Sequence, residues 1–366
     1  MTLRIDPSLG SIAQAPPPGR LGLAEAPVAR AGPAGAVPFL LEGEQMAVTG
    51  TERRGEHAFW LGRRLVATGL TTDGNAGVNV VAAPATLRRE LVGAGGSLLE
   101  TTLAVPTLPL AAVQWAPVPG GRPPRGIELA LTLLPGHRNV RYHVLGEFLR
   151  AVSDDDAGPA VELRVHPAPA DWSVREGADG GMDVRASVAE GPIVTLLLAA
   201  GTAEAASRAV AAGAHLQAHE ARAAAEADPA AMETLTTATG VPELDHAVAW
   251  AVARVRGGLA RGAVTSPEIA FWSGLGAVSV GDGVTAARAV AALRSHGPGE
   301  VPWLLGPPVP AEALAALLSA RLTLLTGDPA PARHALLALG DPAGRRAAAD
   351  REGWALWSLA LATLAD

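Results

Sequence analysis

The chain has 366 residues, 49% of them hydrophobic, and a formal net charge of -7. This length accommodates two domains, and the negative charge without a basic patch argues against a nucleic-acid partner. The absence of cysteine excludes disulfides, thiolate catalysis and cysteine-ligated metals.

Residues 1–35 are rich in Pro, Ala and Gly, and they include Pro16-Pro17-Pro18. Such a composition leaves few side chains to bury, so we expect an extended or mobile segment. The first residues lack the apolar stretch of a signal peptide. Because no apolar run reaches the ~18 residues of a membrane span, we expect a cytoplasmic protein that does not associate with membranes.

Residues 36–201 predict a β-sandwich domain. Short apolar runs alternate with turn residues such as Asp73-Gly74-Asn75 and Pro119-Gly120-Gly121, as is typical of antiparallel hairpins. About eleven strands over ~165 residues favour a large antiparallel sandwich with one solvated sheet face. The predicted strands are Phe39–Leu41, Ala58–Leu61, Arg64–Thr68, Val78–Val81, Ser97–Leu103, Ala111–Trp115, Ile127–Leu134, Val140–Leu145, Val161–Val165, Asp183–Val188 and Ile193–Ala199.

Residues 202–240 predict a connecting helix. The stretch from Ala203 to Ala227 consists almost entirely of good helix formers. Thr202 precedes this stretch and is suited to cap its first turn. Asp228-Pro229 ends the helix or opens the next turn.

Residues 241–366 predict a domain of helical hairpins. Gly281-Asp282 and Gly327-Asp328 each follow one apolar helical run and open another. Since an aspartate accepts hydrogen bonds from free N–H groups of the next turn, we expect Asp282 and Asp328 to cap helices. After a first helix that begins at Pro242, the predicted helices are Pro267–Val280, Thr285–Ser295, Pro310–Thr326, Ala330–Leu339 and Arg345–Ala365.

Several motifs of this second half belong together. They are Pro242-Glu243-Leu244-Asp245 with Trp250, Phe271-Trp272-Ser273-Gly274-Leu275-Gly276, the two Gly-Asp pairs, and Gly299-Glu300-Val301-Pro302-Trp303. In this order, after a β-sandwich and a connecting helix, they resemble the (α/α)6-barrel glycoside hydrolases of the bacterial glycogen-debranching, amylo-α-1,6-glucosidase type. The resemblance implies an N-terminal antiparallel β-sandwich followed by an incomplete (α/α)6-type array of helical hairpins.

The sequence departs from that family at the aromatic motif. Leu275-Gly276 stands where members of the family carry Arg-Asp. Glycoside hydrolysis requires two carboxyl groups, and the first is missing at its expected place. The helical array is also about half of the family's barrel, so the resemblance is to a truncated and degenerate member. No catalytic residue is assigned from the sequence.

Four residues are candidates for binding a sugar: Glu268, Trp272, Glu300 and Trp303. A Trp ring stacks on a pyranose face, and a carboxylate accepts hydrogen bonds from hydroxyl groups. Each candidate has a structural alternative. Glu268 follows Pro267 in a first helical turn, where the helix dipole favours a carboxylate. The loop from Glu300 to Trp303 is alternatively a solvated loop with a packed Trp.

We expect no metal and no cofactor. His215 and His219 have the four-residue spacing of metal ligands on a helix, but they lack the glutamate of a zinc-protease motif, which favours a surface pair. Asp154-Asp155-Asp156 lacks the alternating spacing and the glycine of a calcium loop. Neither a phosphate-binding loop nor a Gly-x-Ser-x-Gly elbow occurs in the sequence.

Three hypotheses remain open at this point. The first is a glycoside-hydrolase-like protein that acts on or binds an α-glucan or oligosaccharide. The second is a catalytically degenerate interaction or scaffold protein of the same fold, and the third is a fragment of a longer protein. Because an open hairpin array leaves its terminal apolar face uncovered, we expect a homo- or hetero-oligomer through the last helices.

Overall fold

The computed structural model of the protein describes residues 3–10, 15–22, 29–36, 38–54, 56–72, 76–93, 96–121, 125–136, 139–154, 158–177, 181–226, seven helical positions between 248 and 259, 266–296, 300–301, 309–331 and 333. The chain divides into two compact units, Met1–Ala231 and Met232–Asp366. In these described stretches, no helix has both the length and the apolar character to cross a membrane.

Two large sheets make up most of the first unit. Their strands are β1 (Arg4–Ile5), β2 (Arg30–Pro33), β3 (Pro38–Glu42), β4 (Met46–Thr51), β5 (His57–Leu61), β6 (Arg64–Thr72), β7 (Ala76–Ala82), β8 (Thr86–Gly93), β9 (Gly96–Ala104), β10 (Leu110–Pro117), β11 (Arg125–Leu133), β12 (Arg141–Leu145), β13 (Phe148–Val152), β14 (Ala160–His166), β15 (Asp171–Glu176), β16 (Met182–Glu190) and β17 (Val194–Gly201). The larger sheet has ten strands in the order β1-β12-β13-β14-β17-β10-β9-β8-β7-β2, and the smaller has seven in the order β15-β16-β11-β6-β5-β4-β3. The pairing is antiparallel except between β1 and β12.

All the predicted strand segments overlap observed strands, so a β-rich first half is confirmed. The missed strands are β1, β2, β4, β8, β13 and β15. Two of them carry residues that usually signal something else. β4 contains a glycine, Gly50, because the Cβ of any other residue would stand 2.4 Å from the carbonyl oxygen of Glu56. In β8, Arg89 is charged and yet buried.

Parts of the predicted mobile segment 1–35 are extended and paired where the structure describes them. β1 continues the large sheet beside β12, and β2 pairs with β7 at its other edge. Residues 15–22 are held by hydrogen bonds to the large sheet and to Glu220, a helix residue that follows the sheet in sequence.

A buried ion pair lies where the two sheets meet. Arg89 of β8 and Glu100 of β9 are each 1% exposed, and the Arg89 Nε and Nη2 atoms both lie 2.7 Å from Glu100 Oε1. Arg89 Nη1 also donates to the carbonyl oxygens of Thr51, Glu52 and Arg54, at 2.8, 3.1 and 2.7 Å. One guanidinium of the large sheet thus binds the backbone at the end of a strand of the small sheet.

The same carboxylate is bound from two further directions. Trp115 of β10 donates its indole N–H to Glu100 Oε2 at 2.9 Å. His57 of β5 places Nε2 3.3 Å from Glu100 Oε1 and 3.1 Å from Thr102 Oγ1. Charged groups withdrawn from water are stable only when they are paired and hydrogen-bonded, and the Arg89 and Glu100 charges are paired with each other and hydrogen-bonded to these neighbours.

Helices α1 (Ala203–Ala212) and α2 (Leu216–Glu226) follow the last strand of the large sheet. Thr202 caps α1 as predicted, since its hydroxyl accepts from Ala205 N. The described part of the predicted connecting helix 202–240 is helical but interrupted, because a 3-10 turn occupies Gly213–His215, and residues 227–240 lie outside the described residues. A Cβ at Gly213 would lie 2.3 Å from Leu197 Cδ1, so the chain passes very close to the sheet at the turn.

The second unit contains helices in its described part. They are α3 (Pro267–Ser279), α4 (Gly283–Ser295) and α5 (Ala311–Thr326), with a short antiparallel pair β18 (Glu300–Val301) and β19 (Val309–Pro310) between the last two. The three helices match predicted ones and share one apolar core that includes Phe271, Leu293, Leu314 and Leu318. The strand pair was not predicted. Most of the predicted helix 330–339, and all of 345–365, lie outside the described residues.

In both Gly-Asp pairs, the glycine ends one helix and the aspartate precedes the next helical turn, as predicted. Gly281 and Gly327 have φ angles of 77° and 69°, the left-handed region that favours glycine at a helix end. Asp282 accepts from Thr285 N at 3.1 Å as the N-cap of α4. Asp328 accepts from Ala330 N at 2.9 Å.

Replacing Arg89 by Met should lower the free energy of unfolding of the first unit by about 3–5 kcal/mol, because it leaves Glu100 buried without its main counter-ion. Urea unfolding followed by tryptophan fluorescence would measure this. Arg141→Met is the matched control: Arg141 pairs with Asp6 and Asp154 at the surface, where such pairs contribute little. Equal effects of the two substitutions would contradict the role given to Arg89.

The buried cluster should also make stability depend on pH. Burial opposes ionisation of Glu100, but Arg89, His57 and Trp115 outweigh it and lower the pKa of Glu100 to about 2 from 4.5. Because the folded-state pKa is depressed, the stabilisation is complete above about pH 4.5 and is lost as the pH falls toward 2. Unfolding free energies at several pH values should show this decline, and Glu100→Gln should flatten it. A decline of the same steepness in that variant would assign it to other carboxylates.

Candidate functional site: the exposed face of α3

Helix α3 is set in place by its first turn and by its buried face. Ser266 caps the helix by accepting from Ile269 N, and Pro267 follows in the first turn, where its missing N–H costs no hydrogen bond. On the buried face, a Cβ at Gly274 would lie 2.3 Å from Leu318 Cδ2 and 2.7 Å from Ala289 Cβ. The three helices therefore approach closely at Gly274, and the opposite face of α3 is left exposed.

Two of the four predicted site residues lie together on that face. Glu268 and Trp272 are four residues apart in α3, and side chains at this spacing lie one above the other on a helix. Trp272 is 44% exposed, although large aromatic side chains are usually well buried. Its ring lies edge-to-face against the buried Phe271, with centroids 5.4 Å apart and an interplanar angle of 68°. Phe271 thus supports Trp272 from the core side.

The other two predicted residues are not brought to this face by any described contact. Glu300 is placed by its backbone, which pairs with Pro310 in the β18–β19 pair, and nothing is described of its side chain. Trp303 lies outside the described residues. The described candidate site therefore consists of Glu268 and Trp272.

The position at which the family resemblance implies an aspartate lies on the same face. Gly276 is four residues beyond Trp272, is exposed, and has nothing within 4 Å of where a Cβ would stand. Leu275, beside it, packs against the helical core. Positions 268, 272 and 276 thus follow one another along α3 as a carboxylate, an indole and an open space.

The first carboxylate after position 276 in the sequence is Asp282, and it already has hydrogen-bond and ion-pair partners. It caps α4 through Thr285 and forms an ion pair with Arg256. Burial opposes its ionisation, but the hydrogen bonds from Thr285 and Arg256 outweigh burial and lower the pKa of Asp282. An ionised, capped and paired aspartate is a structural group. The local sequence predicts the cap but not the pairing with Arg256, because a contact over 26 residues leaves no local pattern.

Metal ligation finds no support in the parts of the chain that the structure describes, where no three His, Asp or Glu residues are grouped to hold an ion. His215 is exposed, while His219 is half-buried, and burial lowers the pKa of His219. Asp154 forms an ion pair with Arg141 at 3.0 Å. The rest of that acidic run, residues 155–156, lies outside the described residues.

Comparison with known proteins gives structural likenesses only. No family profile matches the chain, and no curated protein sequence is similar to it. Among solved structures, a bacterial glucoamylase complexed with acarbose is similar at 11% identity and a TM-score of 0.45, over 92% of this chain and 69% of the glucoamylase. A GH92 family glycosyl hydrolase is similar at 12% identity and a TM-score of 0.35, over 83% of this chain and 55% of the hydrolase. These structural neighbours are glycoside hydrolases, but with TM-scores below 0.5 neither supports a conclusion about the activity of this chain.

The two Gly-Asp pairs offer a matched test of the structural role of Asp282. Asp282→Ala should destabilise the second unit by about 2 kcal/mol, since it removes a helix cap and leaves Arg256 without its partner. Asp328→Ala removes only an exposed hydrogen bond and should cost clearly less. Asp282→Asn keeps a capping side chain and should fall between them. Hydrogen exchange of the α4 amides would measure the order, and a larger effect at Asp328 would contradict it.

Proposed function

We propose that this chain is a glycoside-hydrolase-like protein that binds an α-glucan or oligosaccharide at the exposed face of α3. The observation that carries the proposal is the pairing of a half-buried carboxylate, Glu268, with a partly exposed indole, Trp272, one helical turn apart. In the proposed architecture, the two sheets form an N-terminal β-sandwich. The helices then form an incomplete (α/α)6-type array of the glycogen-debranching type.

The chemistry of the two side chains suits a sugar. The C–H groups of a pyranose ring are apolar on one face, and an exposed indole offers a flat apolar surface of matching size. A carboxylate on the same helical face accepts hydrogen bonds from the hydroxyl groups at the edge of the ring. Support from the buried Phe271 limits the freedom of the indole before binding, which reduces the entropy that binding must overcome.

The same geometry favours binding over hydrolysis. Cleavage of a glycosidic bond needs two carboxyl groups across the scissile bond. On the exposed face of α3, Glu268 is one such group, whereas position 276 is a glycine and Asp282 is bound to Arg256. We therefore propose a sugar-binding protein with a glycoside-hydrolase-like fold. Oligomerisation through the last helices remains a prediction, because those helices lie outside the described residues.

Isothermal titration of the full chain with maltoheptaose and with glycogen would test the proposal. The unmodified protein should bind with measurable heat and release no reducing sugar. Trp272→Ala should weaken binding about tenfold or more, equivalent to about 1.4 kcal/mol, and Trp272→Phe should lose less because part of the ring surface remains. Glu268→Gln should also weaken binding, since a charged acceptor forms stronger hydrogen bonds than an amide.

Val284→Ala is the control variant, because Val284 is an exposed apolar residue of the neighbouring helix α4 and its loss should not change the affinity. Absence of heat with every glucan would remove the proposed function. Equal weakening by Val284→Ala and Trp272→Ala would show that the site is not at α3.

A further inference from the structure

Residues 15–22, here called the strap, run beside the large sheet without joining it as a strand. Gln114 of β10 holds the strap at two points: its Oε1 accepts from Leu21 N at 2.8 Å, and its Nε2 donates to Gly19 O at 2.7 Å. The same Nε2 donates to Thr195 Oγ1 at 3.0 Å, which fixes the amide from within the sheet. Gln114 is 5% exposed, so its amide has little access to water and is satisfied by these hydrogen bonds instead.

Two more buried side chains hold the ends of the strap. Arg164 of β14 donates to Pro16 O at 2.6 Å and to Ala15 O at 3.2 Å, while its Nε donates to Glu147 Oε2 at 2.8 Å. At the other end, Glu220 of α2 accepts from Gly22 N at 2.5 Å. Both side chains are almost fully buried. Buried side chains therefore bind the strap at both ends and near Gly19.

The strap also lies against the 3-10 turn between α1 and α2. Gly19 N donates to Gly213 O at 2.8 Å. A Cβ at Gly19 would stand 2.6 Å from Ala214 O and 2.9 Å from Leu216 N, both backbone atoms. Only glycine permits this approach, because backbone atoms of a packed turn cannot move aside as a side chain can.

The two helices depend on the strap to different degrees. α1 packs directly on β10, β14 and β17. The described contacts of α2 include the strap: Glu220 bonds Gly22 N, and the Gln217 side chain lies where a Cβ of Gly22 would be. Leu21 of the strap is buried in the same apolar cluster as Leu216 and Ala223 of α2.

We propose that docking of the strap holds α2 against the rest of the first unit. When the strap is docked, α2 is bound through Glu220, Gln217 and the 3-10 turn, and when it is released, α2 detaches while α1 remains on the sheet. In a continuous α-helix the Gly213 carbonyl would accept from the N–H of residue 217, so Gly19 competes with regular helix geometry at the turn. Stretches of 3-10 helix within a helix often mark hinges. α2 is the last described helix of the first unit.

Hydrogen exchange on the full chain tests this. Gly19→Ala should accelerate amide exchange in residues 15–22 and in α2 by about tenfold or more, since both open together, while α1 and the β11–β16 strand pair keep their rates. Gly32→Ala is the matched control, because Gly32 lies in β2 of the same N-terminal region and a Cβ there would contact nothing within 4 Å. Its rates should match those of the unmodified chain.

A milder variant covers the case in which Gly19→Ala unfolds the unit and accelerates β11–β16 as well. Gly22→Ala meets only the flexible Gln217 side chain, at 2.8 Å, and should accelerate the strap and α2 together by a smaller factor. The chain has no cysteine, so the double variant Arg20→Cys with Ala218→Cys can be spin-labelled specifically on the strap and on α2. The distribution of distances between the two labels should broaden when Gly19→Ala is added. Faster exchange of 15–22 with unchanged exchange of α2, or no effect of Gly19→Ala on the strap, would overturn the proposal.

Discussion

The architecture of the first unit depends on the buried pairing of Arg89 with Glu100. Neither charge is accessible to water, so each is stable in the core only while the other is present. Both side chains also form contacts beyond their ion pair. The guanidinium donates to three backbone carbonyls at and just after the end of β4, and the carboxylate is contacted by His57 and Trp115. Because hydrogen bonds are directional, these contacts favour one alignment of the two sheets.

The outer face of the large sheet uses the same principle with a different result. There, Gln114, Arg164 and Glu220 bind the backbone of residues 15–22, and Arg150 pairs with Glu162 while it donates to Ser207 of α1. Burial raises the pKa of Glu162 despite the Arg150 pair. Inside the unit, polar groups join sheet to sheet. On the face of the large sheet that carries the helices, buried polar groups join the sheet to the strap and to α1 and α2.

In the second unit, the candidate site residues lie on the face of α3 that does not pack against α4 and α5. α3 buries Phe271 and Gly274 so closely against α4 and α5 that its other face has to carry Trp272 into solvent. That face has one carboxylate and an open position at Gly276 where the resemblance would place a second. Asp282 does not compensate, because Arg256 and the first turn of α4 hold its charge. The sugar-binding site proposed for this face therefore rests on Glu268 and Trp272 alone.

The sequence by itself determined the order of strands before helices, the position of the eleven predicted strands and the caps at Thr202, Asp282 and Asp328. All of these depend on residues within a few positions of one another, where periodicity and turn chemistry act. The tertiary structure alone decided that Arg89 is a core residue, that Arg256 meets Asp282, and that Gln114 binds Leu21 across 93 positions. A buried charge looks like a surface charge in the sequence, and a partner distant along the chain leaves no period to detect. The 3-10 turn at Gly213 escaped prediction for the same reason, since its cause is the approach of Gly19 and Leu197 rather than its own neighbours.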